Sequence, residues 1–303
     1  VKRISIGSWA YTIGPYADHP VDWDTVCDRL RELGFDGVEL GGFPPHPNPD
    51  DVPPQDRAAI RAGVEERGMA FSGLAANLWH LHLADTDDNQ AYLDEFRKNC
   101  VFANDLGING IRVDTVQPPT LLASEDEATV LRRVTGTFAE ANRIARDHGL
   151  YLTWEFEPGF VLNKPSDVLR VLDAVDDTNF GVLYDTSHGH MVAVVGARHQ
   201  GAAETLPGGQ VEFIRQLSGR INHVHLIDSD NSCHKDEQGE DETSMHLPFG
   251  RGVVDFDPIL TELAKEDLGH DWWTVDLCFW PDAWDATAVC KSFMDQVNQR
   301  YFA

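Results

Sequence analysis

Four side chains able to bind a cation stand at the ends of four successive strand-like segments. Glu155 lies in Leu150–Phe156, Asp185 ends Phe180–Asp185, His225 lies in Ile221–Asp228 and Asp276 lies in Trp272–Leu277. Three carboxylates and one imidazole are a mostly hard ligand set, suited to Mn²⁺, Mg²⁺ or Co²⁺, with Zn²⁺ also compatible. Each residue alone has a plainer reading. Asp185, followed by Thr186, Ser187 and His188, is placed to cap a helix, and His225 could be a hydrogen-bonded core histidine. What favours a metal is the conjunction. Buried strands that end in charge cost desolvation energy unless the groups share a partner, and one cation can serve all four.

The elements that must position these residues alternate along the chain. Strand-like runs begin near Arg3, Asp36, Met69, Asn109, Leu150, Phe180, Ile221 and Trp272, eight in all. Amphipathic stretches lie between them, as in Asp24 to Leu33, Ala91 to Leu106 and Glu127 to His148. Gly34, Gly107 and Gly149 each stand where a helix should end in the left-handed conformation. Strands alternating with helices form parallel sheets, and eight such units predict an α/β fold, a closed (β/α)₈ TIM barrel, as a single domain over residues 1–303. In such a barrel chemistry sits at the C-terminal strand ends. The other ends carry Trp9, Glu39, Asn77 with His80, and Arg112 with Asp114. Glu39 and Asp114 read as caps or solvated loop charges. The least regular stretches, 41–55, 114–126 and 228–252, follow strands and would rim the same face.

Composition excludes several classes. The chain has 303 residues and a formal net charge of −26, which repels nucleic acid and anionic membranes. No apolar run approaches the ~18–20 residues of a membrane span. Five cysteines without a C-x-x-C pair argue against a disulfide framework or thiolate zinc site and point to a reducing, cytoplasmic setting. Cys278, two residues after Asp276, reads as packing. Nucleotide-binding glycine loops and the G-x-S-x-G elbow are missing. Glu155 and Glu157, two apart on one strand, would not straddle a glycosidic bond from opposite faces. Trp272, Trp273, Trp280 and Trp284 could form an interface with a second copy or a small partner subunit, or cover the barrel.

Four strings carry a resemblance to a known family. They are Trp154-Glu155-Phe156-Glu157-Pro158-Gly159, Leu183-Tyr184-Asp185-Thr186-Ser187-His188, His223-Val224-His225-Leu226-Ile227-Asp228 and Pro248-Phe249-Gly250-Arg251-Gly252-Val253-Val254-Asp255-Phe256. On these the whole chain resembles the sugar phosphate isomerase/epimerase superfamily of xylose-isomerase-like TIM barrels, which includes ketose 3-epimerases, inosose dehydratases and endonuclease-IV-type enzymes. The resemblance implies one divalent ion, Mn²⁺ before Mg²⁺, Co²⁺ or Zn²⁺, held by Glu155, Asp185, His225 and Asp276. It implies a sugar or sugar-derived substrate and proton abstraction next to a carbonyl through an enediolate. Glu155 and Asp276 would be the catalytic pair on opposite faces. His188 and Glu157 would orient hydroxyls, Arg112 or His80 would hold the far end, and Trp9, Trp79 or Trp280 would stack on the sugar. The leading expectation is an isomerase or epimerase. The alternative is a lyase on oxo-sugars, of the inosose dehydratase or 3-oxo C-glycoside deglycosidase kind, and a non-catalytic sugar-binding barrel comes last. The chain departs from the family pattern in carrying Asp276 where relatives usually carry Glu. It also has Ser229-Asp230-Asn231-Ser232 where ketose-epimerising relatives carry Arg.

Overall fold

The computed structural model describes residues 1–303. Eight parallel strands form the barrel: β1 (Arg3–Ile6), β2 (Gly37–Gly42), β3 (Ala70–Ala76), β4 (Gly110–Val113), β5 (Tyr151–Glu155), β6 (Phe180–Asp185), β7 (Ile221–Leu226) and β10 (Trp272–Val275). Their order round the sheet is β1-β10-β7-β6-β5-β4-β3-β2. The ring closes between β1 and β2 through Asp36 N–H on the Ile4 carbonyl (2.9 Å) and a parallel bridge between Gly7 and Glu39. All eight strands lie where the sequence predicts them. Apart from exposed Arg3 and a few half-buried positions, their side chains are buried on both faces, as parallel strands under a layer of helices must be.

The helices are α1 (Trp23–Glu32), α2 (Pro54–Glu66), α3 (Gln90–Leu106), α4 (Glu127–Asp147), α5 (Pro165–Val175), α6 (Thr186–His190), α7 (Gly209–Gln216), α8 (Phe256–Leu263) and α9 (Ala283–Tyr301). Local chemistry sets their ends. The Asp22 and Asp126 carboxylates accept from Thr25 N–H and Thr129 N–H, each at 3.0 Å, and so cap α1 and α4. Gly34, Gly107 and Gly149 have φ of 81°, 73° and 73°, the left-handed exits expected of them. The inner face of α4 buries Val130, Val134, Phe138, Ala141 and Ala145 against the sheet. The C-terminal tryptophans mostly cover the barrel. Trp273 is fully buried, Trp272 lies under the Arg3 guanidinium, and Trp284 stacks on Tyr11 with ring centroids 4.1 Å apart.

The loop after β7, read from sequence as irregular, contains an antiparallel hairpin, β8 (Cys233–Lys235) with β9 (Asp241–Ser244). Its polar, acidic composition lacks the apolar alternation that marks a buried strand, so periodicity gave no sign of it. Buried Asp228 ties the loop down. Its carboxylate accepts from Gly250 N–H (3.0 Å), Gly252 N–H (2.9 Å) and Val254 N–H (3.2 Å). The backbone also pairs Asp228 with Leu247. A Cβ on Gly252 would lie 2.3 Å from the Ser229 carbonyl oxygen and 2.4 Å from Asp228 Oδ1, so only glycine lets the loop close. The Pro248–Phe256 string is thus chiefly a clasp.

Asp228→Ala leaves the amides of Ser229, Gly250, Gly252 and Val254 without their acceptor, and Gly252→Ala forces the clasp open. Each should lower stability by about 1–3 kcal/mol, read as an earlier urea unfolding midpoint. A wild-type midpoint in both variants would show that the clasp contributes nothing.

Candidate metal centre and substrate cavity

At the C-terminal mouth Glu155, Asp185, His225 and Asp276 each bring one ligand-type atom to within 4.8 Å of the others, all four side chains being buried. Strand order explains the convergence, because β5, β6, β7 and β10 are consecutive round the ring. His225 is oriented by its two nitrogens. Nε2 faces Glu39 Oε1 at 3.1 Å, so Nε2–H donates to that carboxylate. Nδ1 then faces Glu155 Oε1 at 3.2 Å and Asp276 Oδ2 at 3.3 Å, the position of a lone pair offered to a cation. Asp185 divides its carboxylate. Oδ1 accepts from Ser187 N–H (2.7 Å) and His188 N–H (2.8 Å), capping α6, while buried Oδ2 has no hydrogen-bond partner. The capping and ligand readings of this residue are therefore compatible.

Glu39 corrects its sequence reading. It is 1% exposed, neither a cap nor a loop charge, because β2 carries it inside the barrel. There Oε2 meets His223 Nε2 at 2.8 Å and accepts from Thr274 Oγ1 at 3.0 Å. Asp114 is also buried, accepting from Arg112 Nε at 3.1 Å and from Trp79 Nε1 at 2.9 Å. The same Arg112 places Nη2 2.7 Å from Glu155 Oε2. Asp276 is pinned most completely. Oδ1 accepts from Trp9 Nε1 (2.6 Å) and Cys278 Sγ (3.2 Å), and Oδ2 faces His225 and His246.

The electrostatics follow from burying so many like charges. Burial favours the neutral form of Asp276 and of Glu39. His246 and His225 overcome this at Asp276, His225 and His223 overcome it at Glu39, and both carboxyls are held well below the usual range. Burial likewise opposes a charge on His225, yet Glu39, Asp276 and Glu155 hold its pKa well above the ordinary value. Arg112 keeps Glu155 low against burial. Burial pushes Asp185 up to about 7, with Asp276 and Glu155 adding repulsion. Glu157 is pushed up to about 8 by burial and then by Asp114. Burial lowers His188 to about 3.

The donor set fits a divalent ion. Neither Glu155 oxygen makes an aligned hydrogen bond, and Asp185 Oδ2 and both ring nitrogens of His246 are also buried without one. Orphaned buried groups of this kind call for a partner, and a cation supplies it to carboxylates and imidazole together.

Above the centre opens a cavity of about 610 Å³. Glu155, Glu157, Arg112, His188, Trp9 and Asp276 line it. His188 Nε2 is 3.5 Å from Glu157 Oε2, and its Nδ1 pairs with Ser244 Oγ at 2.9 Å. His80 does not line this cavity; it is exposed, in an adjoining depression that shares Trp79, Val116 and Pro118 with it. Sequence reasoning missed His246, which is 3% exposed with Nδ1 3.5 Å from Asp276 Oδ2. It also missed Thr243, whose hydroxyl donates to Glu157, and Ser244. All three come from the loop holding the hairpin, inside the irregular stretch 228–252 that the sequence places on the rim without singling out any of them. Val116, Arg198 and Phe279, also on the cavity wall, have positive φ of 62°, 56° and 57°. Such conformations cost on the order of 1–3 kcal/mol each and collect at functional sites.

Comparison with known proteins agrees with this architecture. A family model described as a xylose isomerase-like TIM barrel matches residues 27–289. An inosose dehydratase of Geobacillus kaustophilus is 24% identical over 293 residues, covering 88% of this chain and 84% of the relative. One of Bacillus velezensis is 21% identical over 254 residues, covering 77% and 74%. Among solved structures, a D-tagatose 3-epimerase-like protein superimposes with a TM-score of 0.71 at 19% identity, covering 99% of both chains. The IolI protein with a bound zinc atom gives 0.73 at 16%, covering all of both.

Purified protein reloaded with Mn²⁺ or Zn²⁺ should retain about one ion per chain through dialysis, and His225→Ala should retain none, by elemental mass spectrometry. Glu39→Gln should weaken the ion roughly 10–100-fold in competition with a chelator, because it loosens the ring rather than removing a ligand. An affinity equal to wild type in Glu39→Gln would show that the carboxylate does not orient His225.

Proposed function

The chain belongs to the xylose isomerase-like TIM barrel family, and on that premise we propose that it is a metal-dependent lyase that removes water from a neutral oxo-sugar or oxo-cyclitol. One observation carries the choice of elimination over epimerisation: the two sides of the cavity are not equivalent. Two-base epimerisation needs an exchangeable proton carrier on each face of the substrate. On the β10 side the one carboxylate is Asp276, with Oδ1 bonded to Trp9 and Cys278 and Oδ2 facing His225 and His246, and two residues further on stands Cys278 where the β5 side has a second carboxyl. On the β5 side stand two carboxyls of opposite character, Glu155 kept ionised by Arg112 and Glu157 carrying a proton near neutrality. A base and an acid entering from one strand end suit loss of a proton and a hydroxyl from one face of a ring.

In this reading Glu155, Asp185, His225 and Asp276 hold the ion, with Mn²⁺ the first choice and Zn²⁺ the second. When bound, the ion supplies a Lewis acid that polarises the substrate carbonyl and offsets the charge developing on its oxygen. Glu155 takes the proton from the carbon beside the carbonyl. The electrons of that C–H bond form the new double bond as the C–O bond on the next carbon breaks. Glu157 gives its proton to the departing oxygen, which leaves as water. His188, neutral and hydrogen-bonded to Ser244, orients a substrate hydroxyl, and Thr243 fixes the Glu157 carboxyl. Arg112 is shared between Asp114 and Glu155, so it keeps Glu155 anionic and does not bind a substrate anion.

Charge at the mouth supports a neutral substrate. Asp236, Asp241 and Glu242 line the cavity opposite a single further cation, Arg198, whose Nη1 already donates to the Glu242 carbonyl at 3.0 Å. A phosphate group would meet net repulsion there. The inosose dehydratase relatives supply the first compound to try.

Metal-loaded protein should convert inosose to a product one water lighter, followed by mass spectrometry, and chelation should stop it. Glu157→Gln should lower kcat about 10²–10⁴-fold with metal content unchanged. Recovery of an epimer carrying solvent deuterium, with no loss of water, would overturn elimination in favour of epimerisation.

A further inference from the structure

His225, Glu39, His223, Tyr151 and His270 form one hydrogen-bonded line from the metal centre to the opposite end of the barrel. β5 ends at Glu155 in the mouth and begins at Tyr151 at the far end. The Tyr151 hydroxyl lies 3.1 Å from His223 Nδ1 and 3.0 Å from Nε2 of His270, which stands just before β10. From His223 the line continues to Glu39 at 2.8 Å and from Glu39 to His225 at 3.1 Å. Neither Tyr151 nor His270 lines the cavity, and both are polar where a barrel interior is ordinarily branched and apolar.

Each link is directed by its neighbour, and the direction starts at a backbone amide. Trp272 N–H donates to His270 Nδ1 at 3.1 Å, so the hydrogen of that ring is on Nε2, which faces the Asn222 carbonyl at 2.9 Å. Burial keeps the ring neutral, with its pKa lowered to about 4. The Tyr151 oxygen accepts from this Nε2–H, and its own hydrogen then goes to His223 Nδ1. Burial, and then Glu39, keep the phenol protonated. His223 therefore carries its hydrogen on Nε2 and gives it to Glu39 Oε2. The other Glu39 oxygen takes His225 Nε2–H, which leaves Nδ1 for the centre. Reversing one link would set two donors or two lone pairs face to face. The far end is also fixed by packing. The Tyr151 ring stacks on His270 with centroids 5.3 Å and planes 23° apart, and a Cβ on Gly110 would lie 2.2 Å from Tyr151 Cζ.

We propose that Tyr151 and His270 are positioning residues for the metal centre, fixing through His223 and Glu39 which nitrogen of His225 faces the ion. The proposal rests on the reading of His225 as a ligand and extends its control to the other end of the barrel. Mere packing of the barrel interior would need the two rings but neither the hydroxyl nor the imidazole nitrogens.

The test uses Tyr151→Phe and His270→Phe, which keep a ring and remove the hydrogen bonds. Each should weaken Zn²⁺ about threefold to tenfold in competition with a chelator, less than Glu39→Gln because they act further from the ligand. Glu39→Gln combined with Tyr151→Phe should bind Zn²⁺ as Glu39→Gln alone does, since the line is already cut. In the metal-free protein, ¹⁵N spectra should show His223 as one tautomer in wild type and as two in Tyr151→Phe. Wild-type affinity in both variants, even beside a lower urea midpoint, would assign them to packing and overturn the proposal. Additive losses in the double variant, or a single His223 tautomer in Tyr151→Phe, would also overturn it. Failure of wild type to bind any ion defeats the metal reading itself, whereas equal binding by wild type and both variants defeats the positioning role alone.

Discussion

Repulsion among buried carboxyls is the constraint to which the rest of the barrel mouth answers. Glu155, Asp185, Asp276, Glu157, Glu39 and Asp114 are all buried within one end of the barrel, and Arg112 is the guanidinium placed among them. Each unpaired charge there would cost several kcal/mol. The local structure distributes that cost. Arg112 is shared by two carboxylates, Glu39 by two imidazoles, and α6 begins at Asp185 so that its amides point at the carboxylate. What this sharing leaves over is specific: Asp185 and Glu157 are still pushed towards neutrality, and buried oxygens of Glu155 and Asp185 still lack hydrogen bonds. A divalent ion is the partner of the right sign and size for that remainder.

The polar layer beneath the centre follows from the same logic. Glu39, His223, Thr274 and Ser5 form a hydrogen-bonded set inside the barrel, at positions that an ordinary barrel fills with branched apolar side chains. Buried ionic networks seldom stabilise a fold more than well-packed apolar residues would. Their value here is positional. His225 must present Nδ1 and not Nε2 to the centre, and a carboxylate on the far side of its ring is what selects that tautomer. The strain at Val116, Arg198 and Phe279 is a second cost carried at the same mouth.

How far the sequence could be read depended on the range of the interaction. The eight strands were legible because each is a short apolar run, and three of them, β2, β4 and β5, directly follow a helix that exits through a left-handed glycine, signals confined to neighbouring residues. The convergence of Glu155, Asp185, His225 and Asp276 was legible because barrel topology turns successive strand ends into neighbours. Glu39 was misread because a single acidic residue at the end of an apolar run has the same local pattern whether it caps a helix or enters a barrel. Its partners, His223 and His225, lie more than 180 residues away. His80 was misread for a related reason: nearness to a strand end says little once the chain has turned away, and the loop carries it outside the cavity. The stretch 228–252 was read as part of the rim, but His246, Thr243 and Ser244 were not singled out within it because a clasp on Asp228, not a strand end, decides where they stand.

That last case separates the two parts of the site by origin. The charged set of Glu155, Asp185, His225 and Asp276 comes from strand ends, whose positions the barrel dictates. The hairpin and its neighbours add what the barrel does not dictate: Thr243 on Glu157, Ser244 on His188, His246 beside Asp276 and His234 under Phe279. Loops on a rigid scaffold are where binding specificity ordinarily resides, because they change without disturbing the core. A fold match therefore speaks to the strand ends and says little about the hairpin side of the cavity. Relatives at 21–24% identity can share the carboxylate and imidazole chemistry while differing in what the outer cavity admits. Consecutive contacts run from Trp79 through Asp114 and Arg112 to Glu155, so a group seated on Trp79 is positioned relative to the residue proposed to take the proton. Binding energy gained at a remote substituent can then be used to orient the reacting bond, the condition under which a large cavity serves catalysis and not merely affinity.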